Sequence, residues 1–175
     1  MTNKIKNLNL GCGRAIKKGF INLDTVRLEG VDVVHNLDKF PYPFEDNRFS
    51  YIFIDNVLEH LSNLIKTMEE LNRISEDRGI IEIIVPYFSS IKAFKDPTHR
   101  QFFTLKTFDY FTENHPYNFY TPSRFEVVER RLIFPDIFNF LAFIFNKMQN
   151  IYERNWALPY LFPATGIYIK LRVIK

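Results

Sequence analysis

The sequence predicts an α/β fold: a mostly parallel sheet with an antiparallel closing strand, in a single domain spanning residues 1–175. Three observations carry this expectation. Short apolar, often β-branched runs recur at 5–10, 20–24, 31–34, 51–54, 80–85, 125–132 and 167–174. A strongly amphipathic helical stretch separates the fourth run from the fifth. The first run ends in a Gly-x-Gly turn, Gly11-Cys12-Gly13, with Asp24 eleven residues beyond the second glycine.

Taken in order, the first strand closes on that turn, as a buried strand does when its backbone must approach a ligand closely. Asp24, at the end of the second strand, is placed to grip the two hydroxyls of a ribose, as in nucleotide-binding α/β folds. The dinucleotide pattern needs a third glycine, and Ile16 stands there, so a nicotinamide dinucleotide is not expected. Only about ten residues join Leu10 to Phe20, near the lower limit for a parallel crossover, so the first helix should be vestigial. The third strand runs into His35-Asn36-Leu37-Asp38. The fourth runs into Ile54-Asp55-Asn56-Val57, a turn that should face a ligand, because ligands of open parallel sheets sit beyond the carboxyl ends of strands.

Leu61, Leu64, Ile65, Met68, Leu71 and Ile74 then recur at three- and four-residue steps. They predict a helix with Glu59 and His60 at its start and Gly79 as its stop. After the fifth strand, Asp96-Pro97-Thr98-His99-Arg100 lies among Tyr87, Phe88, Phe94, Phe102 and Phe103. Thr104 reads as the N-cap of a helix over 105–111. Residues 137–152 form a last helix that is apolar around most of its circumference, with seven apolar positions in eight between Phe138 and Phe145. That exceeds what one buried face requires, so Phe140 and Phe143 should face a pocket, a second subunit or a membrane surface, with a lid over an apolar or aromatic acceptor preferred and a homodimer contact next. The final two runs are longer, and Ile167, Ile169, Leu171 and Val173 alternate as in an antiparallel pair.

Composition narrows the class. Nineteen Phe and nine Tyr imply large apolar faces or an aromatic-lined cavity. A net charge of +3 without blocks of like charge gives no reason to expect nucleic acid. The single Cys12 excludes an internal disulfide and a cysteine metal cage, and it suits a reducing cytoplasm. Met1 to Lys4 do not read as a signal peptide, and the apolar stretch 138–145 is too short to span a bilayer. His35, His60, His99 and His115 are too scattered for a zinc pattern, and Val85-Pro86-Tyr87-Phe88 supplies no acids after the fifth strand; no metal is expected.

Leu8-Asn9-Leu10-Gly11-Cys12-Gly13, Asn22-Leu23-Asp24, the segment from Phe40 to Ser50 (FPYPFEDNRFS) and Val57-Leu58-Glu59-His60-Leu61 resemble successive motifs of the class I S-adenosylmethionine-dependent methyltransferases. The resemblance is closest to the small "type 11" branch and covers roughly residues 5–90. It departs from the family in the nearly absent first helix and in Asn9, where an acid is common. It implies a Rossmann-like sheet and S-adenosyl-L-methionine as cofactor. The methionine end would lie on the backbone of Gly11, Cys12 and Gly13 with Asn9 in hydrogen-bonding reach, and Cys12 reads as a small buried filler. Asp24 would hold the ribose. Adenine would sit by Asn36, Leu37 and Asp38, with Asn36 and Asp38 rival readers of its amine and Asn36 preferred. Asp55 and Asn56 would face the sulfonium.

The resemblance also places acceptor-binding elements in an insertion at about 87–122. Tyr87, Asp96 and Arg100 are the candidate acceptor contacts, and His99 is the candidate catalytic base for a hydroxyl or carbon acid. Glu59 and His60 read as a structural pair in preference to catalysis. The function expected is methyl transfer to a small-molecule acceptor in the cytoplasm. Two alternatives stay open: a non-catalytic S-adenosylmethionine or S-adenosylhomocysteine binding module, and an interaction protein docking through 137–152 as a homodimer or on a membrane surface.

Overall fold

Seven strands form one sheet in the order β3-β2-β1-β4-β5-β7-β6. The computed structural model describes residues 6–175, the side chain of Asn139 excepted. The strands are β1 (Asn7–Leu10), β2 (Ile21–Asp24), β3 (Val33–Val34), β4 (Phe49–Asp55), β5 (Ser75–Pro86), β6 (Arg124–Ile133) and β7 (Gly166–Ile174). The start expected at Ile5 lies outside the described residues. β1 to β5 are parallel, and only β7 runs the other way, antiparallel to both β5 and β6. Because the order reverses between β1 and its neighbours β2 and β4, their carboxyl ends flank a topological switch point.

The core follows the strand pattern. Leu8, Leu10, Leu23, Ile52, Ile54, Ile81 and Ile83 are fully buried, as are Ile167, Ile169, Leu171 and Val173 on the closing strand. The outward residues of that strand are covered by charge: Lys170 pairs with Glu82 at 3.0 Å, and the Arg131 guanidinium lies 4.4 Å from the Tyr168 ring centre.

No helix forms between β1 and β2. A buried amide network holds that connection instead. Asn9 Nδ2 donates to Ala15 O (2.8 Å) and to Asn22 Oδ1 (2.9 Å), Lys17 N donates to the same oxygen (2.8 Å), and Asn22 Nδ2 reaches Asp32 Oδ2 (3.2 Å). Side-chain amides thus satisfy the loop backbone that a helix would have satisfied through its own ladder.

The predicted helix is shorter than its apolar pattern. Leu58–His60 form a separate 3-10 turn, and α1 covers Leu64–Ile74, capped by Asn63 Oδ1 accepting from Lys66 N at 3.0 Å. It ends at Ser75, not at Gly79, and β5 begins there without a linker. Gly79 is instead confined by its neighbours. A Cβ there would come within 2.9 Å of Glu76 O and 3.3 Å of Phe49 O, where β5 crowds the irregular start of β4.

Between β5 and β6 the chain holds only short 3-10 turns; the predicted 105–111 helix is one of these, Thr107–Phe111. Its N-cap is Lys106, without a side-chain cap, and not Thr104, whose Oγ1 accepts from Lys106 N (3.3 Å) ahead of the turn. The predicted 137–152 helix is broken. A 3-10 turn (Asp136–Phe138) leads into α2 (Asn139–Lys147), then α3 (Gln149–Arg154) and α4 (Leu158–Leu161). Polar residues at the break serve the edge of the sheet: Asn146 donates to Leu132 O (3.0 Å) and accepts from Leu132 N (2.7 Å), and Gln149 donates to Arg130 O (2.8 Å). An edge strand left bare would be a template for further pairing.

Candidate cofactor cleft and the adjoining histidine cluster

A cleft of about 390 Å³ opens at the switch point and is lined by residues that end or follow the first four strands: Gly11 and Asp24, then Asn36, Leu37 and Asp38, then Asn56, Val57, His60 and Leu61. A larger hollow of about 650 Å³ lies between 109–116 and β6, but it shares no residue with this cleft.

Both motif glycines have positive φ, +67° at Gly11 and +48° at Gly13, and they differ in what surrounds them. A Cβ on Gly11 would fall 2.4 and 2.8 Å from the two methyl carbons of Val57. Gly11 is therefore needed so that Val57 can close the floor of the cleft. Beside Gly13 nothing lies within 4 Å, so its positive φ and not a close contact is what favours glycine there.

Asp24 is partly committed: Oδ2 accepts from Gly13 N (2.7 Å) and Oδ1 from Val26 N (3.0 Å). Each carboxylate oxygen keeps a second lone pair, which suits it to two ribose hydroxyls. Asn36 Oδ1 accepts from Asp38 N (2.9 Å), while Asp38 Oδ1 takes both Ser62 N and Ser62 Oγ (2.8 Å each) and Asp38 Oδ2 stands 4.0 Å from Arg100. Asn56, in the left-handed region at φ +52°, turns the chain out of β4 while its amide donates to Asp55 Oδ1 at 2.7 Å. Asn tolerates that conformation better than most residues.

Four of the expected cofactor contacts, Asn9, Cys12, Gly13 and Asp55, do not line the cleft. Both amide hydrogens of Asn9 are spent on Ala15 O and Asn22, so this residue staples the shortened connection. Cys12 is buried and burial raises its pKa, which keeps the thiol protonated and fits a packing role. Of the expected acceptor contacts, Tyr87 is fully buried against Phe88 and Tyr152 and does not line the cleft. Asp96 accepts from Thr98 N (2.9 Å) and Thr98 Oγ1 (2.7 Å), bracing its own loop, and Arg100 reaches Asp38 across the cleft edge. Of the aromatic series, Phe94 and Phe102 stack at 4.8 Å in the open, while Phe103 is core.

The sequence spacing hid one cluster. His60 and His99, 39 residues apart, meet edge to face with ring centres 4.7 Å apart, and Glu59 lies beside them. The main chain clamps the two loops together, since Arg100 N (2.7 Å) and Gln101 N (3.1 Å) both donate to Glu59 O. Glu59 is 1% exposed, and neither carboxylate oxygen has a hydrogen-bond partner. Burial pushes its pKa up to about 7. Burial, and the neighbouring His99, lower that of His60. A signal for this cluster did exist. Because β4 and β5 are adjacent and parallel, the segments that follow them, carrying Glu59-His60 and Thr98-His99, emerge at the same end of the sheet.

Known proteins share this fold. Residues 12–83 match the methyltransferase domain family, in keeping with its type 11 branch. The fold is that of the class I S-adenosylmethionine-dependent methyltransferases. Among similar solved structures are an S-adenosylmethionine-dependent methyltransferase from Archaeoglobus fulgidus (TM-score 0.63, 18% identity, covering 97% of this chain and 88% of that one) and one from Mesorhizobium loti (0.54, 12%, 97% and 91%). The YcgJ protein of Bacillus subtilis is a third (0.61, 13%, 97% and 91%). No curated protein matches the sequence significantly. The methyltransferase family implies S-adenosylmethionine as cofactor, and the cleft with the free lone pairs of Asp24 fits it. Among the described residues, no helix is long and apolar enough to cross a membrane.

Proposed function

We propose that this protein transfers a methyl group from S-adenosylmethionine to a small-molecule acceptor. The observation that carries the reading is the cleft itself, because Gly11, Asp24, Asn36, Leu37 and Asn56, which end or follow four separate strands, line one hollow at the switch point. When bound, the cofactor supplies a methyl group on a sulfonium, already a good leaving group. The chain then contributes alignment and the exclusion of water. Asp24 would hold the ribose hydroxyls. Leu37 would pack on the adenine, with Asn36 or Asp38 at its polar edge. Val57 would wall the cleft beside Gly11, and Asn56 would border the reacting end.

Residues 87–122 are read as the acceptor side. Ile91, Phe94 and Phe102 offer exposed apolar surface there, which suits an acceptor with an apolar body. His99 remains the residue assigned to the acceptor's proton. Its Nδ1 donates to Ala93 O (2.9 Å), which leaves Nε2 with a lone pair. Calorimetric titration with S-adenosylmethionine and S-adenosylhomocysteine tests the reading, and saturable one-to-one binding is expected. Absence of any heat or thermal shift at millimolar ligand would overturn it.

The outer face of α2 and α3 is read as a contact surface for a second copy of the chain. Phe140 is 73% and Phe143 67% exposed, and neither lines the cleft, so a lid over the acceptor is not favoured.

A further inference from the structure

We propose that Glu59, His60 and His99 form a mononuclear site for a divalent first-row transition metal, beside the cofactor cleft. One ligand-capable atom from each residue lies within 4.8 Å of the other two. Two imidazoles and one carboxylate are a donor set suited to iron, zinc, cobalt or nickel, and three protein ligands leave coordination positions open.

Hydrogen-bond bookkeeping shows which atoms are available. Ala93 O can only accept, so the 2.9 Å contact to His99 Nδ1 puts the proton on Nδ1 and the lone pair on Nε2. Thr98 Oγ1 spends its one hydrogen on Asp96 Oδ1 (2.7 Å), so towards His60 Nδ1 (2.8 Å) it must accept. His60 is thereby fixed in the same tautomer, again with Nε2 free. Fixing a ligand imidazole through its other nitrogen is the usual outer-shell arrangement around a protein-bound metal.

Glu59 supplies the independent observation. A buried carboxylate with both oxygens unpartnered is costly unless it is neutralised or paired, and such a group in a folded protein needs an explanation. A cation held between Glu59 and two imidazole nitrogens would satisfy it. Zinc ligands at ~2.1 Å from the ion stand roughly 3.4 Å apart, so closure needs side-chain movement on the order of 1 Å. The backbone clamp from Arg100 and Gln101 onto Glu59 O already holds the two loops together. Because His60 also lines the cleft, the open positions would lie where an oxygen or nitrogen of the acceptor could bind; with a metal held there His99 Nε2 would be a ligand and not the base, and coordination would acidify the acceptor in its place.

The test uses the full chain, stripped with chelator and titrated with Co²⁺ (followed by its visible absorption) and with Zn²⁺ by calorimetry, without cofactor. One equivalent should bind, with imidazole-type Co²⁺ bands. Glu59→Gln, nearly the same shape, and His99→Ala should each weaken binding at least tenfold. Thr98→Val, which removes only the partner of His60 Nδ1, should weaken it roughly 10–100-fold. His115→Ala should bind as the native protein does. No saturable binding by folded native protein would overturn the site, and so would binding that Glu59→Gln leaves unchanged. Circular dichroism identifies any variant that fails to fold, and Thr98→Val, outside the first coordination shell, then decides the matter. Since no cofactor is present, failure here leaves the methyl-transfer reading standing, and failure of cofactor binding leaves this one.

Discussion

Replacing Gly11 with alanine tests which physical demand fixes the motif. The new Cβ would stand 2.4 and 2.8 Å from the Val57 methyl carbons, far inside ordinary contact, on a backbone whose φ is +67°. The left-handed conformation costs an L-residue about 1–2 kcal/mol. Overpacking a close contact adds about 1–3 kcal/mol. Gly11→Ala should therefore destabilise the protein by about 2–5 kcal/mol, a large share of the ~5–15 kcal/mol that holds a domain together. Gly13→Ala bears the backbone cost alone, since its Cβ would meet nothing within 4 Å. It should lose only about 1–2 kcal/mol of stability.

Truncating Val57 in the Gly11→Ala background removes the clash, so the double-mutant cycle should show a favourable coupling of about 1–3 kcal/mol. Urea titrations followed by circular dichroism measure all four stabilities. Equal losses for the two glycine variants, or an additive cycle with Val57→Ala, would refute the reasoning and return Gly11 to direct ligand contact.

Asp24→Ala should weaken S-adenosylhomocysteine binding by about 1–3 kcal/mol in calorimetry, the order expected for hydrogen bonds to a charged acceptor; an unchanged dissociation constant would move the ribose elsewhere. A pH dependence arises from Glu70, which accepts from Tyr42 N (2.7 Å) and from Arg73 Nε and Nη2 (2.8 Å each). Burial works to raise its pKa, but these hydrogen bonds and the Arg73 charge hold it below the ordinary glutamate range. A depressed folded-state pKa means the contribution is complete above about pH 4.3 and is lost as pH falls through the lower folded value. The stability gap between native protein and Glu70→Gln, read from urea midpoints, should therefore be widest near neutrality and shrink below about pH 4. Phe140→Ser with Phe143→Ser should change monomer stability by less than about 0.5 kcal/mol, because both rings stand in solvent. Light scattering at rising concentration should show self-association in the native protein and its loss in that double variant.

What the sequence could reveal was whatever depends on neighbours along the chain. Alternation at Ile167, Ile169, Leu171 and Val173 announced the closing strand, and all four are fully buried. The short span from Leu10 to Phe20 left room for no helix, and none formed. Where periodicity misled, a contact distant in sequence had intervened. The apolar run from 137 to 152 reads as one helix until Asn146 and Gln149 are seen bonding to Leu132 and Arg130 on the edge strand. Gly79 looks like a helix stop, but it lies within β5, where a Cβ would press on Glu76 O and then on Phe49 O of the neighbouring strand.

The site divides in the same way. Asp24, Asn36 and Asn56 lie at strand ends and could be placed by counting. Glu59, His60 and His99 could be joined only once β4 and β5 were known to be adjacent, since 39 residues of helix, strand and loop separate the two histidines. Spacing along the chain therefore argued against a metal at the point where the fold assembles a donor set. The buried carboxylate of Glu59, with no hydrogen-bond partner for either oxygen, is what sets that assembly apart from a chance grouping of side chains.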